Sequence, residues 1–314
     1  MTPHPPLVHV IVITFNGLRH LEGCFRSLRK TDYPNYRVVL VDNASADGSA
    51  EYTGSNFPEV HILRHDTNLG FAAGNNRAMD AALADGADYI FLLNDDTVIL
   101  DADWLTQAVA LADGDPSVGM IGFQLLATCP SGEELARLPK LPTPPAIAPA
   151  ERIDGCALFI RGALLARIGG FDEVYFAYAE EDDLEARAQR MGAKLMKLDR
   201  RIYHFGGGTS GKFPREAARL EIRNAIRFSI KNRGIFQTLA RVFKLGDIVC
   251  SPFPLFLDRC NQSHLRARGE WEFFSNLRTF LSACAWNLFH LRETLAARRR
   301  DRTRERCGRP EPSA

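Results

Sequence analysis

Two carboxylates stand side by side in Asn94-Asp95-Asp96, directly after the apolar run Asp88–Leu93. Adjacent acids at the tip of a buried strand repel each other unless a cation joins them. Mg²⁺ or Mn²⁺ suits such a place, because these hard ions take carboxylate oxygens together with water and substrate phosphates. Alone, the tripeptide reads first as a polar turn, where Asn and Asp are favoured. Its companions strengthen the other reading. Asp42 closes a second apolar run in VDNAS, where a carboxylate either accepts hydrogen bonds from a nucleoside or caps a turn. Asn68–Asn76 (NLGFAAGNN) has two glycines among small residues, which either lets backbone approach a nucleotide or opens a helix. Neither GxGxxG nor a Walker sequence occurs, so dinucleotide-dependent redox chemistry and NTP hydrolysis lose support.

A second acidic group follows later, at Glu180-Glu181-Asp182-Asp183. Four acids at a helix start are favoured by the helix dipole alone. Tyr175, Phe176 and Tyr178 just before them suggest partial desolvation, which raises a carboxylate towards the range of a working general base. His204 precedes the glycine-rich stretch Gly206–Gly211. A single histidine after a strand is more often structural, but beside a metal site it becomes a candidate ligand.

These residues need elements to carry them. Val8–Thr14, Arg37–Asp42, Val60–His65 and Asp88–Leu93 read as strands, with helices at Leu18–Arg29 and Gly74–Leu83 between them. Alternation of this kind predicts a mainly parallel sheet covered on both faces, with ligands at the carboxyl ends of the strands. The polar clusters Thr14–Asn16, Asp42–Ser45 and Asn94–Asp96 fall at those ends. Thr128–Pro149 reads as an irregular connection, Asp154–Ile160 and Arg201–Phe205 as strands. Ala163–Ile168, Glu181–Met191 and Arg215–Asn232 read as helices. Beyond Gly234 the pattern becomes helical and rich in large aromatics, and Arg292–Arg309 is crowded with arginines. The expected division is a catalytic α/β unit at 1–234 and a helical region with a basic tail at 235–314.

The ordered series VIVITFN, VDNASADGS, NLGFAAGNN, LLNDDT, DGCALFIRGALLARIGGFDE, YAEEDDLEAR, HFGGGTSG and RNAIRFSIKN resembles glycosyltransferase family 2. The likeness runs from about Val8 to Asn232 and is nearest to the bacterial rhamnosyltransferase-like branch. The resemblance implies a GT-A fold, a Rossmann-like α/β sheet flanked by helices, here with a C-terminal helical appendage. It implies an inverting enzyme that moves a sugar from a nucleotide diphosphate donor to a hydroxyl acceptor. Carried over by position, Thr14 and Asp42 contact the nucleotide, with Asn16, Asn68, Gly74 and Asn94 on the same surface. Asp96 is the expected ligand of Mg²⁺ or Mn²⁺, with Asp95 near the ribose or the metal and His204 as a further ligand. Gly155 lies where donor and acceptor pockets meet. The register of the acidic motif makes Glu181 the base, with Asp183, two residues on, as the other candidate. The branch favours dTDP-rhamnose, then UDP-sugars, and a cell-envelope glycan or lipid-linked acceptor.

A metal-dependent nucleotide-sugar hydrolase or pyrophosphorylase is the competing enzyme reading, and a non-catalytic adaptor subunit a more distant one. A net charge of +1 argues against a nucleic-acid binder. Seven dispersed cysteines suit a reducing cytosol. The N-terminus lacks the features of a signal peptide, and no apolar run approaches the ~20 residues of a spanning helix. Trp271, Phe274, Leu277, Leu281, Leu288 and Leu291, followed by the arginines, can lie on an anionic membrane surface. Equally, they can pack on the catalytic domain or on a second subunit. The expected location is the cytoplasm, with peripheral contact to the inner membrane as the variant.

Overall fold

The computed structural model describes residues 4–126, 139, 141–206, 214–250 and 273–307. Its centre is a sheet ordered β3-β2-β1-β4-β8-β6-β9-β5, with β7 paired to β9. The first strands are β1 (Val8–Thr14), β2 (Tyr36–Asp42), β3 (His61–Arg64) and β4 (Tyr89–Asn94). They are followed by β5 (Thr97–Ile99), β6 (Val118–Leu126), β7 (Ile147–Pro149), β8 (Ala157–Arg161) and β9 (Lys194–His204).

Side-chain alternation fixes the two faces. In β1, Val8, Val10 and Val12 join one core, while Ile11 and Ile13 join the other. In β4, Tyr89, Phe91 and Leu93 face the first core, and Ile90 and Leu92 the second. This period of two, buried on both sides, makes the central strands apolar throughout. Helix α1 (Leu18–Leu28) puts Leu21, Cys24, Phe25 and Leu28 on the first face, and α4 (Trp104–Gly114) adds Trp104 and Leu105. The second face is covered by α3 (Gly70–Ala84), α5 (Gly162–Ile168) and α6 (Glu180–Arg190), while the short α2 (Ser49–Asn56) joins β2 to β3.

The sheet is parallel from β3 through β4, as the alternating pattern predicts. Beyond β4 it is mixed, because β8 runs antiparallel to both β4 and β6. The sequence reading passed over β5, α4 and β6. In β6 the glycines hid the strand, and they serve close packing: a Cβ on Gly119 would sit 2.5 Å from Leu164, and one on Gly122 2.7 Å from Ile153. Helix α3 begins at Gly70 rather than Gly74, because Asn43 accepts from Leu69 N (3.0 Å) and Asn68 from Gly70 N (2.9 Å). Most of the expected connection at 128–149 lies outside the described residues, and its last three residues form β7.

Four further helices stand among the described residues: α7 (Pro214–Asn232), α8 (Ile235–Cys250), α9 (Phe273–Phe289) and α10 (Leu291–Cys307). Ile222 and Ile226 of α7 share a third core with Leu245 and Val249 of α8 and Ala283 of α9. Helix α10 docks on α5, α6 and α7. Its arginines are partly engaged: Arg298 donates to Ile230 O (2.9 Å) and Arg233 O (2.8 Å), satisfying carbonyls at the end of α7. Trp271 lies outside the described residues. No helix among the described residues is long and apolar enough to cross a membrane.

A buried ion cluster ties α6, α7 and α10 together. Lys231 Nζ lies 2.9 Å from Asp172, 2.8 Å from Asp183 and 2.9 Å from Asp301. Arg227 pairs with Asp172 (2.9 Å) and Arg187 with Asp183 (3.0 Å). Burial disfavours the Asp172 charge, but Lys231 and Arg227 outweigh it and pull the group down to about 2. Its folded pKa thus lies below the ordinary 3.8, so its contribution is present at neutral pH and is lost as pH falls from about 4 to about 2. Lys231→Met removes the cation shared by three carboxylates and should cost about 3–5 kcal/mol, read as a lower urea midpoint at pH 7. The difference from the parent should shrink below pH 3.

Candidate active site

At the carboxyl ends of β1 and β4 a cavity of about 610 Å³ opens. Of the sequence-predicted residues, Thr14, Asn16, Asn68, Asn94, Asp95, Asp96, Gly155, Glu181 and His204 line it. One wall comes from the strand ends. Thr14 Oγ1 donates to Asp95 Oδ2 at 2.5 Å, joining β1 to the β4 tip. Asn16 N donates to Ser45 Oγ (2.9 Å) and its Oδ1 accepts from Ala46 N (2.8 Å), tying the β1 and β2 loops together.

Antiparallel pairing of β5 with β9 sets Thr97 opposite His204, and His204 Nε2 comes within 3.2 Å of Asp96 Oδ1. Burial opposes both charges, but each group holds the other ionised: His204 rises to about 10 and Asp96 falls below the ordinary carboxylate range. Asp95 behaves differently. Burial, countered by the Thr14 hydroxyl and reinforced by Asp96, pushes it up to about 7. Asn94 Oδ1 is buried with no hydrogen-bond partner among the described residues. Two acids, an imidazole and an orphaned amide oxygen suit a hard divalent ion whose remaining ligands are phosphate and water. No group of three or more His, Cys, Asp or Glu among the described residues forms a metal cage by itself.

The opposite wall is the start of α6. Glu180 and Glu181 are buried and line the cavity. Burial and the Asp182 charge push Glu181 above the ordinary range, while Arg152, donating to Glu181 Oε1 at 2.9 Å, pulls it back. Glu180 is raised further by burial and by Glu181, and its Oε2 has no hydrogen-bond partner among the described residues. Gly155 lets the Glu181 side chain lie close, since a Cβ there would be 3.4 Å from Glu181 Cγ.

Three of the expected residues do not line the cavity. Asp183 is fully buried in the ion cluster, where Asn232 Nδ2 also donates to it (2.8 Å). One residue along a helix turns a side chain by about 100°, which separates Glu181 and Asp183 by more than half a turn. Asp42 is also fully buried outside the cavity lining; it accepts from Ser45 N (2.9 Å) and pairs with Arg64 (3.3 Å), holding the β2 turn. Gly74 serves packing, because a Cβ there would meet Ile13 Cδ1 at 2.8 Å. Gly207–Gly211 of the expected glycine loop lie outside the described residues.

Several contributors escaped the sequence reading. A Cβ on Gly17 would sit 1.8 Å from Asp95 Oδ2, so only glycine leaves room for that carboxylate. Phe176, Tyr178 and Ala179 all have positive φ (65°, 73° and 66°) in the loop that launches α6. Asn224 Nδ2 holds this strained loop by donating to the carbonyls of Tyr175 (2.9 Å), Ala177 (2.7 Å) and Tyr178 (2.8 Å). Arg223 adds a bond to Tyr175 O at 2.8 Å.

The architecture is the GT-A fold. It resembles S. aureus TarS residues 1–349 in complex with UDP at a TM-score of 0.55, with 20% identity over 88% of this chain and 80% of that one. The mannosyltransferase PcManGT from Pyrobaculum calidifontis, in complex with GDP-Man and Mn²⁺, matches at a TM-score of 0.56, with 18% identity over 96% of this chain and 83% of that one. Residues 9–139 match the model of glycosyl transferase family 2. The N-acetylglucosaminyl-diphospho-decaprenol L-rhamnosyltransferase of Mycobacterium tuberculosis is 29% identical over 241 residues, 65% of this chain and 78% of that protein. Over residues 9–139 the chain is thus similar to glycosyl transferase family 2, and it is a glycosyltransferase.

Gly17→Ala should displace Asp95 and weaken binding of a nucleotide-sugar donor by roughly tenfold or more, the value of a lost charged hydrogen bond. Thermal unfolding without ligand should change little, so calorimetric titration with donor separates the two effects.

Proposed function

We propose that the protein transfers a hexose, with L-rhamnose from dTDP-rhamnose as the first candidate and UDP-sugars next, to a hydroxyl of a lipid-linked cell-envelope glycan. The observation that carries this reading is the opposition of two differently tuned acidic walls across one cavity: Asp95, Asp96 and His204 on the strand side, Glu180 and Glu181 on the helix side. The M. tuberculosis relative's name, a rhamnosyltransferase acting on a diphospho-decaprenol, supports the sugar and acceptor classes. We assign residues 1–234 to the catalytic unit and 235–314 to the helical region beside it. We place the enzyme in the cytoplasm, against the inner membrane, with exposed Phe236 and Leu288 making peripheral contact.

Asp96 and His204, with Asp95 nearby, would hold Mg²⁺ or Mn²⁺, which supplies positive charge to offset the charge growing on the leaving diphosphate. The strand-end residues Thr14, Asn16, Asn68 and Asn94 orient the nucleotide and close the site's floor. Glu181 takes the proton from the acceptor hydroxyl as that oxygen attacks the anomeric carbon. The carbon–oxygen bond to the diphosphate breaks on the opposite face, so configuration inverts in a single displacement and no covalent nucleophile is required. Asp183 acts as a positioning residue, holding α6 in place through Lys231 and Arg187.

Asp96→Ala should abolish metal-dependent donor binding, measured by titration of Mn²⁺ with and without donor; unchanged metal dependence would remove the assignment. Glu181→Gln should keep donor affinity and lose roughly 10²–10⁴ in kcat. Since burial raises the folded pKa of Glu181, its ionised form costs stability, and this cost grows as pH rises through that pKa. The amide should therefore unfold at the same temperature as the parent or higher at pH 8, while parent turnover climbs with pH above the usual carboxylate range. A variant that turns over normally would discard Glu181 as the base. Donor consumption that proceeds equally well without any acceptor would favour the hydrolase reading.

A further inference from the structure

On the outer side of the Glu181 wall, three arginines from three separate segments gather around Asp182. Arg152 comes from the stretch before β8, Arg233 from the α7–α8 turn and Arg241 from α8. Arg152 is half exposed and bridges two acids, donating to Glu181 Oε1 at 2.9 Å and lying 2.7 Å from Asp182 Oδ1. The charges of Arg233 and Arg241 both act on Asp182. Arg241 is the unusual member: it is partly buried, yet has neither a hydrogen bond nor an ion pair among the described residues. Its surroundings make that worse, since burial and the Arg233 charge both disfavour its protonated form. A partly buried guanidinium under the influence of two others, with Asp182 as the acid that acts on it, is an arrangement that an added anion would stabilise.

We propose that Arg152, Arg233 and Arg241 bind the diphosphate of the acceptor, next to the base and on the far side from the donor's phosphates. The inference rests on the lipid-linked acceptor reading above. The chemistry fits the cluster, because planar guanidinium forks recognise phosphate oxygens in pairs. It also gives Arg152 a second task. In the free enzyme it neutralises Glu181; a diphosphate within reach competes for that guanidinium and leaves the Glu181 oxygen free for the acceptor hydroxyl. The base is then released when the correct acceptor arrives, and water is a poorer substitute because it brings no anion.

Farnesyl diphosphate, a soluble prenyl diphosphate, serves as the probe, with UDP and dTDP as the competing sources of the same group. Arg241→Gln and Arg233→Gln lie outside the cavity lining and should fold as the parent does. Each is expected to weaken farnesyl diphosphate binding by roughly tenfold, the scale of one charged hydrogen bond, with UDP and dTDP affinity unchanged. Arg241→Lys should recover part of the loss, because charge is restored without the fork. Weakened UDP or dTDP binding in these variants would assign the cluster to the donor and overturn the proposal. So would farnesyl diphosphate that fails to bind the parent protein, or binds all variants alike. Donor protection against thermal unfolding is measured on the same samples; its absence in the parent would count against the glycosyltransfer reading itself rather than against the arginines.

Discussion

The fixed point of this molecule is the buried cluster in which Asp172, Asp183 and Asp301 face Arg187, Arg227 and Lys231. Three negative and three positive charges leave it neutral, so its members remain ionised out of water only while all are present. Asp172 precedes the loop that leads into α6, Asp183 and Arg187 lie on α6, Arg227 and Lys231 on α7, and Asp301 on α10. Such a cluster contributes little net stability over an apolar core of the same volume. Its effect is positional: α6 has one depth and one rotation at which Asp183 meets Lys231 and Asn232. That rotation aims Glu180 and Glu181 at the cavity.

A second constraint acts on the same helix from its other end. The loop through Phe176, Tyr178 and Ala179 places three side-chain-bearing residues at positive φ, each costing on the order of 1–3 kcal/mol. One amide, Asn224, collects three of the loop's carbonyls and is itself fully buried. Gly70 completes the arrangement on the other side, because a Cβ there would sit 2.5 Å from the Phe176 ring. The start of α3, the loop and α7 therefore form one unit. Strain accumulated beside the acids is offset by hydrogen bonds from a helix, α7, that begins more than thirty residues later in the chain.

The central strands and the acids at their tips were readable because both signals are local: an apolar run and the polar residues that stop it. Asp95, Asp96, Glu181 and His204 could be listed in advance, and the structure gathers them around one cavity. What stayed hidden depends on distant neighbours. Gly17 looks like any glycine after a strand until the Asp95 carboxylate is seen to occupy the place of its side chain. Asn224 and Lys231 look like ordinary helix residues until their partners at 172–183 are in place. Asp42, Asp183 and Gly74 sit off the cavity lining. Each has a type and position suited to a ligand, but buried partners or packing claim the side chain or the space first.

On the proposed reading, the two walls of the cavity divide one set of carboxylates between two tasks. On the strand side, pairing with His204 keeps Asp96 in its charged form, and a divalent ion bound by both would take the place of the imidazolium proton. On the helix side, burial and mutual repulsion raise Glu180 and Glu181, making an accepted proton stable. Groups of nearly equal intrinsic acidity are driven apart by their surroundings, and the direction of each shift suits the role proposed for it. A fixed charge belongs where phosphates leave, and an adjustable one where a hydroxyl loses its proton. In the proposed mechanism Arg152 is the component that decides when the adjustable one is available. It is the one cation bonded to Glu181 among the described residues, and it is half exposed. Its exposure means that it can be drawn away at small cost, which a fully buried partner such as Lys231 could not be.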